Sequence, residues 1–266
     1  MKQKILLLLL FVIIPFIQYA QNNDTIFNQT DKNGLKQGFW KKSYPNGKIQ
    51  YTGKFVNNNP VGEFIRYTPE GYLLVKMNYK TGSDKIFSIF YYPNKNKQAE
   101  GYYIGKLKDS IWNYYSEEGT LLNCVPFLSD IKTGTEIKYY NTGKVFEKFE
   151  WINGLEDGKH LRYYENGNVM IRSTYVNGIL NGIYASYTID NKPIITGVYK
   201  NNLRDGIWII YDETGREKQR INYIDGVAEN QEELDKLEQY EIDQLEKNKG
   251  LYSDPSEETY KNNPPM

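Results

Sequence analysis

A repeat of 24 residues constrains this chain more than any other feature, because it runs without insertion from Gly38 to Gly226. Stepping along the chain by 24 residues gives eight copies. Self-similarity at a fixed period of this length builds one supersecondary unit per copy, and stacked neighbours bury the shared core. The sequence therefore predicts a repeat array in place of an ordinary globular domain.

Four positions of the copy carry the repeat. The first position is Gly in six of the eight copies: Gly38, Gly62, Ile86, Ser110, Gly134, Gly158, Gly182 and Gly206. Five residues later stand Ser43, Tyr67, Tyr91, Tyr115, Tyr139, Tyr163, Tyr187 and Tyr211. Nine residues after the first position stand Gly47, Gly71, Lys95, Gly119, Gly143, Gly167, Asn191 and Gly215. Seventeen residues after it lies an aromatic column that is complete in all copies: Phe55, Tyr79, Tyr103, Phe127, Trp151, Tyr175, Tyr199 and Tyr223.

Each copy is predicted to be a β-hairpin. In the sixth copy, residues 158–164 form one strand, residues 165–167 the turn and residues 168–176 the second strand. Asn177-Gly178 then turns into the next copy, because both residues adopt positive φ at low cost. Eight hairpins give about 16 strands, or roughly 75 Å at about 4.8 Å per strand. The predicted fold class is all-β, an elongated and twisted antiparallel ribbon of about eight hairpins with a short C-terminal helix.

Two departures from the pattern predict local irregularity. The third copy has Ile86 and Lys95 where the others favour Gly, so about residues 83–107 are expected to be irregular. Pro126 has no amide N–H to donate, so it is expected to interrupt the second strand of the fourth copy.

Alternation along each strand separates two faces. In the last copy Ile207 and Ile209 point to the first face, and Trp208 and Ile210 point to the second. The second face mixes aromatic and cationic side chains, which suit a protein partner, a sugar ring or a lipid interface. The candidate binding face consists of Trp40, Lys42, Phe64, Arg66, Trp112, Lys138, His160, Arg162, Tyr184 and Trp208. The alternative is that this face is core, because aromatic columns at a structural period usually serve packing.

Composition excludes several classes of function. The chain has 33 Lys and Arg against 33 Asp and Glu, and this zero net charge argues against nucleic acid as a partner. One Cys and one His exclude an internal disulfide framework and a multi-histidine metal site. His160 stands in a column of rings, so the repeat explains its position and we expect no catalytic set. No Gly-rich phosphate loop is present, and we expect no cofactor.

The N-terminus has the pattern of a secretory signal peptide. Lys2 and Lys4 precede an apolar run from Ile5 to Ile17, which only Pro15 interrupts. A basic start and a short apolar core before a small residue predict residues 1–20 as a signal peptide, cleaved after Ala20. The alternative is an uncleaved membrane anchor. The predicted location is therefore periplasmic, secreted or on the cell surface.

The two ends of the array are expected to differ from the copies. Residues 21–37 are predicted to cap the first edge of the sheet. Residues 227–266 hold 11 acidic and 4 basic residues. Within them, residues 227–250 predict an acidic helix that caps the last copy or folds back over the basic ribbon. Residues 251–266 contain Pro255, Pro264 and Pro265 and are predicted to be disordered.

At this point the residues resemble a known family. The unit Gly-x-Trp-x-x-Tyr-x-x-x-Gly, followed by an aromatic residue and Asn-Gly, is similar to the MORN repeat variant of bacterial proteins in the YwqK antitoxin-like family. The clearest matches are Gly206 to Gly215 and Gly158 to Gly178. The resemblance covers about residues 38–226. It implies tandem hairpins, a scaffolding role between proteins or binding to phospholipid, and no catalytic residue.

These observations lead to one hypothesis with two alternatives. The leading hypothesis is a non-enzymatic exported protein that binds an unknown partner protein as a scaffold of the cell envelope. The first alternative is direct binding of an envelope glycan or anionic lipid through the aromatic and cationic face. The second is an antitoxin-like inhibitor, which would require the chain to stay in the cytosol.

Overall fold

The computed structural model describes residues 25–229 and, in a C-terminal helix, residues 235–236, 239–240, 242–244 and 247. The predicted signal peptide, the start of the predicted N-terminal cap and the predicted disordered tail lie outside the described residues. Within the described part, no helix is long and apolar enough to cross a membrane.

Twenty strands, separated by turns, lie between residues 29 and 228. The first ten are β1 (Gln29–Thr30), β2 (Lys36–Ser43), β3 (Ile49–Val56), β4 (Asn59–Tyr67), β5 (Leu73–Tyr79), β6 (Lys85–Tyr91), β7 (Lys97–Ile104), β8 (Leu107–Tyr115), β9 (Leu121–Leu128) and β10 (Ile131–Lys132). The others are β11 (Gly134–Tyr139), β12 (Val145–Ile152), β13 (Leu155–Tyr163), β14 (Val169–Val176), β15 (Ile179–Leu180), β16 (Gly182–Tyr187), β17 (Pro193–Lys200), β18 (Leu203–Tyr211), β19 (Glu217–Ile224) and β20 (Val227–Ala228).

The strands form one open antiparallel sheet in which most pair with their neighbours along the chain, whereas β9 pairs with both β10 and β11, and β14 with both β15 and β16. The hairpin β2–β3 pairs Gly38 with Phe55, for example, and β3 then pairs with β4. The same order continues to β18 and β19, where Gly206 pairs with Tyr223. The predicted all-β ribbon of hairpins with a short C-terminal helix is therefore confirmed.

The turn inside each hairpin depends on a residue with positive φ. Gly167 has φ of 91° and its amide N–H donates to the carbonyl of Tyr164. Lys95 and Asn191 replace the glycine in two copies and adopt φ of 72° and 63°. The third copy thus keeps the same turn, although this conformation is unfavourable for a lysine.

The turn between copies joins each hairpin to the one before. Asn177 and Gly178 both have positive φ, 50° and 77°, as a type I′ turn requires. The amide N–H of Gly178 also donates to the carbonyl of Glu156, one copy earlier, at 2.7 Å. Gly154 and Gly226 make the equivalent bonds to Lys132 and Arg204. Neighbouring hairpins are therefore locked at their tips as well as along their strands.

The first position of most copies lies in a β-bulge, and the third copy differs there. The bulge between β3 and β4 contains Gly62, whose φ is 69°, and Ser110 adopts 62° at the same position of the fourth copy. Ile86 instead continues an unbroken ladder between β5 and β6, because a β-branched residue disfavours positive φ. The expectation that the strands of the third copy are irregular was therefore wrong, because β6 pairs with β5 without the bulge found between β3 and β4. The departure is confined to the longer connection at residues 80–84.

The expectation for Pro126 was also wrong. Strand β9 runs through Pro126, which pairs with Ile111 of β8. The gap in the ladder falls on the other side, between β10 and β11, where a bulge leaves the proline nitrogen without a required partner. A similar gap separates β15 from β16 without any proline, so the bulge and not Pro126 causes it.

The core lies on one side of the sheet only. Trp208, Ile210, Ile221 and Tyr223 are buried, whereas Ile207, next to Trp208 in β18, is exposed. We call the side that carries Trp208 the inner face and the side that carries Ile207 the outer face. The described residues place no second layer over the inner face, so the sheet must coil around its own side chains to bury them.

Candidate binding surface

The inner face is organised around a ring column, which stands two residues after the first position of each copy. Its members are Trp40, Phe64, Ser88, Trp112, Glu136, His160, Tyr184 and Trp208. Trp208 packs edge-to-face between Tyr199 and Tyr223, with ring centroids 4.9 and 6.2 Å apart. Trp112 meets Tyr103 in the same way at 4.8 Å. The ring column and the aromatic column therefore interlock into one spine.

The predicted binding residues all lie on this inner face, but they differ in exposure. Trp112 is 1% exposed and Trp208 is 0% exposed, so a partner cannot reach these rings while the sheet is intact. Trp40, Phe64 and Tyr184 are half-buried, and Lys42 and Arg66 are exposed. Lys138, His160 and Arg162 converge on one carboxylate. For Trp112 and Trp208, the packing alternative describes their place in the fold.

A cation stands four residues before each tryptophan of the ring column. The Nζ of Lys36 lies 4.6 Å from the ring centroid of Trp40, and the guanidinium of Arg204 lies 4.6 Å from that of Trp208. The Nζ of Lys108 lies 5.0 Å from the Trp112 ring. Burial lowers the pKa of Lys108, although the charge of Asp130 opposes this. These three cations were not among the predicted binding residues, and they cover the spine, where their contacts with the rings stabilise the fold.

The spine is interrupted in the fifth and sixth copies by a buried carboxylate. Glu147 is 1% exposed and its Oε1 accepts from His160 Nε2 at 2.8 Å. The same oxygen accepts from Arg162 Nη2 at 2.7 Å, and Lys138 Nζ lies 3.3 Å from Oε2. Burial alone would raise the pKa of Glu147, but the hydrogen bond from His160 and the charges of Arg162 and Lys138 lower it to about 2. Glu147 therefore holds three predicted binding residues together as an ion-pair network.

A second buried carboxylate has polar partners of its own. Glu136 occupies the ring column, and it accepts from Lys132 Nζ at 2.7 Å and from Asn123 Nδ2 at 2.9 Å. Three buried atoms near this network lack a hydrogen-bond partner among the described residues, namely Asn123 Oδ1, Trp151 Nε1 and His160 Nδ1. Sequence reasoning missed Glu136 and Glu147. For Glu136 a signal was available, because it is a polar residue at a position that is aromatic in most other copies.

The network has the properties of a structural ion cluster. Glu147 is held ionised by three cationic or hydrogen-bonding partners, and no Ser, Cys or Thr nucleophile belongs to the network. Among the described residues, no group of His, Cys, Asp and Glu is arranged to hold a metal ion. The free thiol of Cys124 is half-buried, and burial raises its pKa.

The outer face carries a strip of exposed aliphatic side chains, whereas aliphatic residues of the inner face such as Ile210 and Ile221 are buried. Its side chains flank the turns between copies, stand one residue after the first position or, for Val198, pair with such a residue across the hairpin, and they are 40% to 67% exposed. In the fourth to eighth copies the strip consists of Ile111, Leu128, Ile131, Ile152, Leu155, Val176, Ile179, Ile183, Val198, Leu203, Ile207, Ile224 and Val227.

The strip is continuous from copy to copy. Ile152 pairs with Leu155 and Val176 pairs with Ile179 across their turns, so each of these tips presents two aliphatic side chains. The tip at Leu203 presents one, because its partner is Lys200. The Leu155 side chain lies 3.7 Å from the point where a Cβ would stand on Gly178 of the next tip. With two strands per copy, neighbouring tips are about 10 Å apart. The strip therefore offers a regular apolar surface roughly 40 Å long.

The hairpins that define this geometry can be compared with known families. Three segments match the MORN repeat variant. The matched residues are 36–57, 132–153 and 156–177. Each match ends in the turn between copies, so a MORN unit corresponds to one hairpin together with its following turn. Since the second and third MORN segments begin 24 residues apart, the match has the period of the repeat.

Comparison with individual proteins shows only distant similarity. No curated protein matches the chain. A solved structure of a Photorhabdus luminescens Tc holotoxin pore with a TccC3 mutation shares 11% identity over 70% of the chain, with a TM-score of 0.19. A crystal structure of TcdB2–TccC3–Cdc42 shares 8% identity over 73%, with a TM-score of 0.16. The chain spans 13% of the length of each of these proteins.

Proposed function

We propose that this protein is an exported, non-enzymatic scaffold of the cell envelope that holds a partner protein along the aliphatic strip. The observation that carries the proposal is the repeated exposure of aliphatic pairs such as Ile152 and Leu155 at the tips of successive hairpins. Large contiguous apolar patches on a soluble protein mark sites of interaction. MORN repeats commonly mediate binding to proteins or membranes.

The strip suits a protein partner with a long apolar face. Its side chains are branched aliphatics without aromatic rings, which favour burial against another hydrocarbon surface over stacking on sugars. Its length of roughly 40 Å matches an amphipathic helix of about 27 residues at 1.5 Å per residue. Contact along several tips would give avidity, because each tip adds the same small apolar contact.

The glycan or anionic-lipid alternative has less support. It relied on Trp112 and Trp208 as stacking platforms, and both indoles are enclosed by the spine. Of the cations predicted for it, Lys138 and Arg162 are engaged with Glu147. Lys42 and Arg66 remain exposed, and they lie in the first two copies only.

A matched pair of substitutions tests the strip. Ile183 and Thr135 stand at the same position of two copies, and both are exposed on the outer face. We expect a photocrosslinker placed at Ile152 to capture one discrete envelope protein. We expect Ile183→Lys with Ile207→Lys to reduce that capture about tenfold or more, since two buried apolar contacts of about 1 kcal/mol each are lost. Thr135→Lys should leave it unchanged.

The outcomes separate the functions. Equal loss in Thr135→Lys would show that added charge and not the strip is responsible, and would overturn the proposal. Capture of glycan or lipid in place of protein would support the first alternative. Circular dichroism of each variant verifies that the sheet is intact.

Export is supported by Lys2, Lys4 and the apolar run that ends before Ala20. We expect fractionated cells to contain the protein outside the cytosol, with an N-terminus at Gln21 by terminal sequencing. An intact N-terminus on a cytosolic protein would contradict export and favour the antitoxin-like inhibitor.

A further inference from the structure

The charge of the chain is sorted along the ribbon. Residues 25–80, which form the first two hairpins, contain nine Lys and Arg against three Asp and Glu. Residues 81–226 contain 18 of each sign. Residues 227–266 contain four basic and eleven acidic residues. The zero net charge therefore conceals a basic first end, a neutral middle and an acidic last end.

The cations of the first end are unpaired. Among the described residues, every ion pair lies between Lys85 and Arg220, and none involves the nine Lys and Arg of residues 25–80. Lys41, Lys42 and Arg66 are exposed to solvent there. The three acidic residues of the first two hairpins offset only part of their charge, so an anionic partner is favoured at this end.

The same end contains an apolar groove. It has a volume of about 260 Å³, and its lining includes the apolar Phe27, Phe39, Val61 and Ile65 and the charged Lys54 and Glu63. Lys41 Nζ lies 5.5 Å from the Phe27 ring, and Lys54 Nζ lies 5.8 Å from the Phe39 ring. Two lysines beside the rings outnumber the single acid of the lining, so this apolar floor fits an acidic segment that also presents an aromatic or aliphatic side chain.

The last end of the same chain has that composition. Its described helical residues include Tyr240 and Ile242, which are 60% and 43% exposed. Asp235 and Asp243 lie in the same helix. The basic and acidic ends are attached to opposite ends of the sheet, because the strands pair in chain order from β2 to β19.

We propose that the acidic C-terminal segment of one copy docks on the basic, grooved first end of a second copy. The two surfaces are different, so the contact is head-to-tail and leaves one free end of each kind on every dimer. Repetition of the contact would give an open chain of ribbons. This inference is independent of the aliphatic strip, which lies in the fourth to eighth copies and stays exposed in such a chain.

Charge reversal in the full chain from residue 21 onward tests the contact. We expect sedimentation velocity at about 0.02 M salt to show species that grow with protein concentration and shrink at about 0.5 M salt, where screening shortens to a few ångströms. Lys41→Glu with Lys54→Glu should weaken association about tenfold or more. Lys144→Glu with Lys159→Glu, two exposed cations without ion pairs in the neutral middle, is the matched control and should associate like the wild type.

A charge swap identifies the second surface. Asp235→Lys with Asp243→Lys should weaken association alone, and mixing this variant with Lys41→Glu/Lys54→Glu should restore it because opposite signs again face each other. Failure of the mixture to associate more than either variant would overturn the proposal. A wild type that stays monomeric at low salt, or that binds phosphatidylserine vesicles through Lys41 and Lys54 without self-associating, would also overturn it. The vesicle result would assign the first end to a membrane surface instead.

Discussion

The indole of Trp112 lies directly on the backbone of Gly101, so that a Cβ on Gly101 would overlap the indole carbons. Trp208 on Gly197 and Phe64 on Gly53 repeat the relationship. Where the ring column holds the small Ser88, the facing residue is instead Met77. Volume is thus conserved across these four pairs, since a large ring faces no side chain and a small side chain faces a large one.

This relationship predicts the effect of filling the glycine. Gly101→Met should destabilise the protein by about 1–3 kcal/mol, because Trp112 is enclosed and cannot yield to the added side chain. Urea unfolding measures the loss. The double variant Gly101→Met/Trp112→Ser reproduces the Met77 and Ser88 pair and should recover part of the stability. A double variant as unstable as the two single losses added together would contradict the volume rule.

The ion network around Glu147 predicts an acid-dependent stability. The folded pKa of about 2 lies below the ordinary value of 4.5, so the folded state favours the ionised carboxylate. Its contribution is fully present above about pH 4.5 and is lost as the pH falls toward 2. The amount is on the order of 3 kcal/mol. Urea unfolding between these pH values measures it.

The variant Glu147→Gln isolates this contribution. It should cost about 3–5 kcal/mol near neutral pH, because Arg162 and Lys138 keep their charges without a partner. The difference between wild type and variant should shrink as the pH falls through the same window. Glu217→Gln, which breaks an exposed pair with Arg220, is the control. The pair also lowers the pKa of Glu217, but solvent screens it, so the dependence on pH should be much smaller. A constant difference at every pH would contradict the assignment to Glu147.

The cation above Trp112 predicts a third effect. Lys108→Met keeps the aliphatic stem but removes the charge from the Trp112 and Phe127 rings, and it removes the hydrogen bond to Tyr114. The expected loss of stability is about 0.5–2 kcal/mol, as for a partly desolvated cation–π contact. Lys106→Met changes an exposed lysine of the adjacent turn and should have little effect. Equal unfolding midpoints for the two variants would show that the charge over the spine contributes nothing.

The period and the turn residues made most of the fold predictable. Asn177-Gly178 specifies its turn through local backbone preference alone, and the aromatic column fixes which residues share a side of each strand. Ile86 shows the limit of such reasoning. The missing glycine was interpreted as a defect, but a strand without glycine forms the ordinary ladder and the glycine marks a bulge.

The inner and outer faces could not be distinguished by alternation. Ile207 and Trp208 alternate equally well in either orientation, and only the coiling of the sheet determines that Trp208 is enclosed. One signal was available, because Gly53, Gly101 and Gly197 stand opposite rings and mark the side where side chains have no room. The position of Glu147 holds no constant residue type among the copies, so the repeat pattern does not mark it. Its contact with His160, 13 residues later in the chain, arises only when β12 pairs with β13.

The tip bond from Gly178 to Glu156 has a consequence for how this chain can change in length. It joins residues about one copy apart, as do the Tyr140 hydroxyl to the Tyr163 carbonyl and the Asn166 amide to the Ile189 carbonyl. Such contacts never depend on the total number of copies. Duplication or deletion of one whole unit leaves every remaining bond with a chemically equivalent partner. An insertion of any other size would shift the partners, and it would break the bonds at the turns between copies and at the turns within hairpins. The gene of such a protein can therefore lengthen or shorten in steps of one hairpin, and the reach of the ribbon becomes a heritable quantity that is adjusted by recombination.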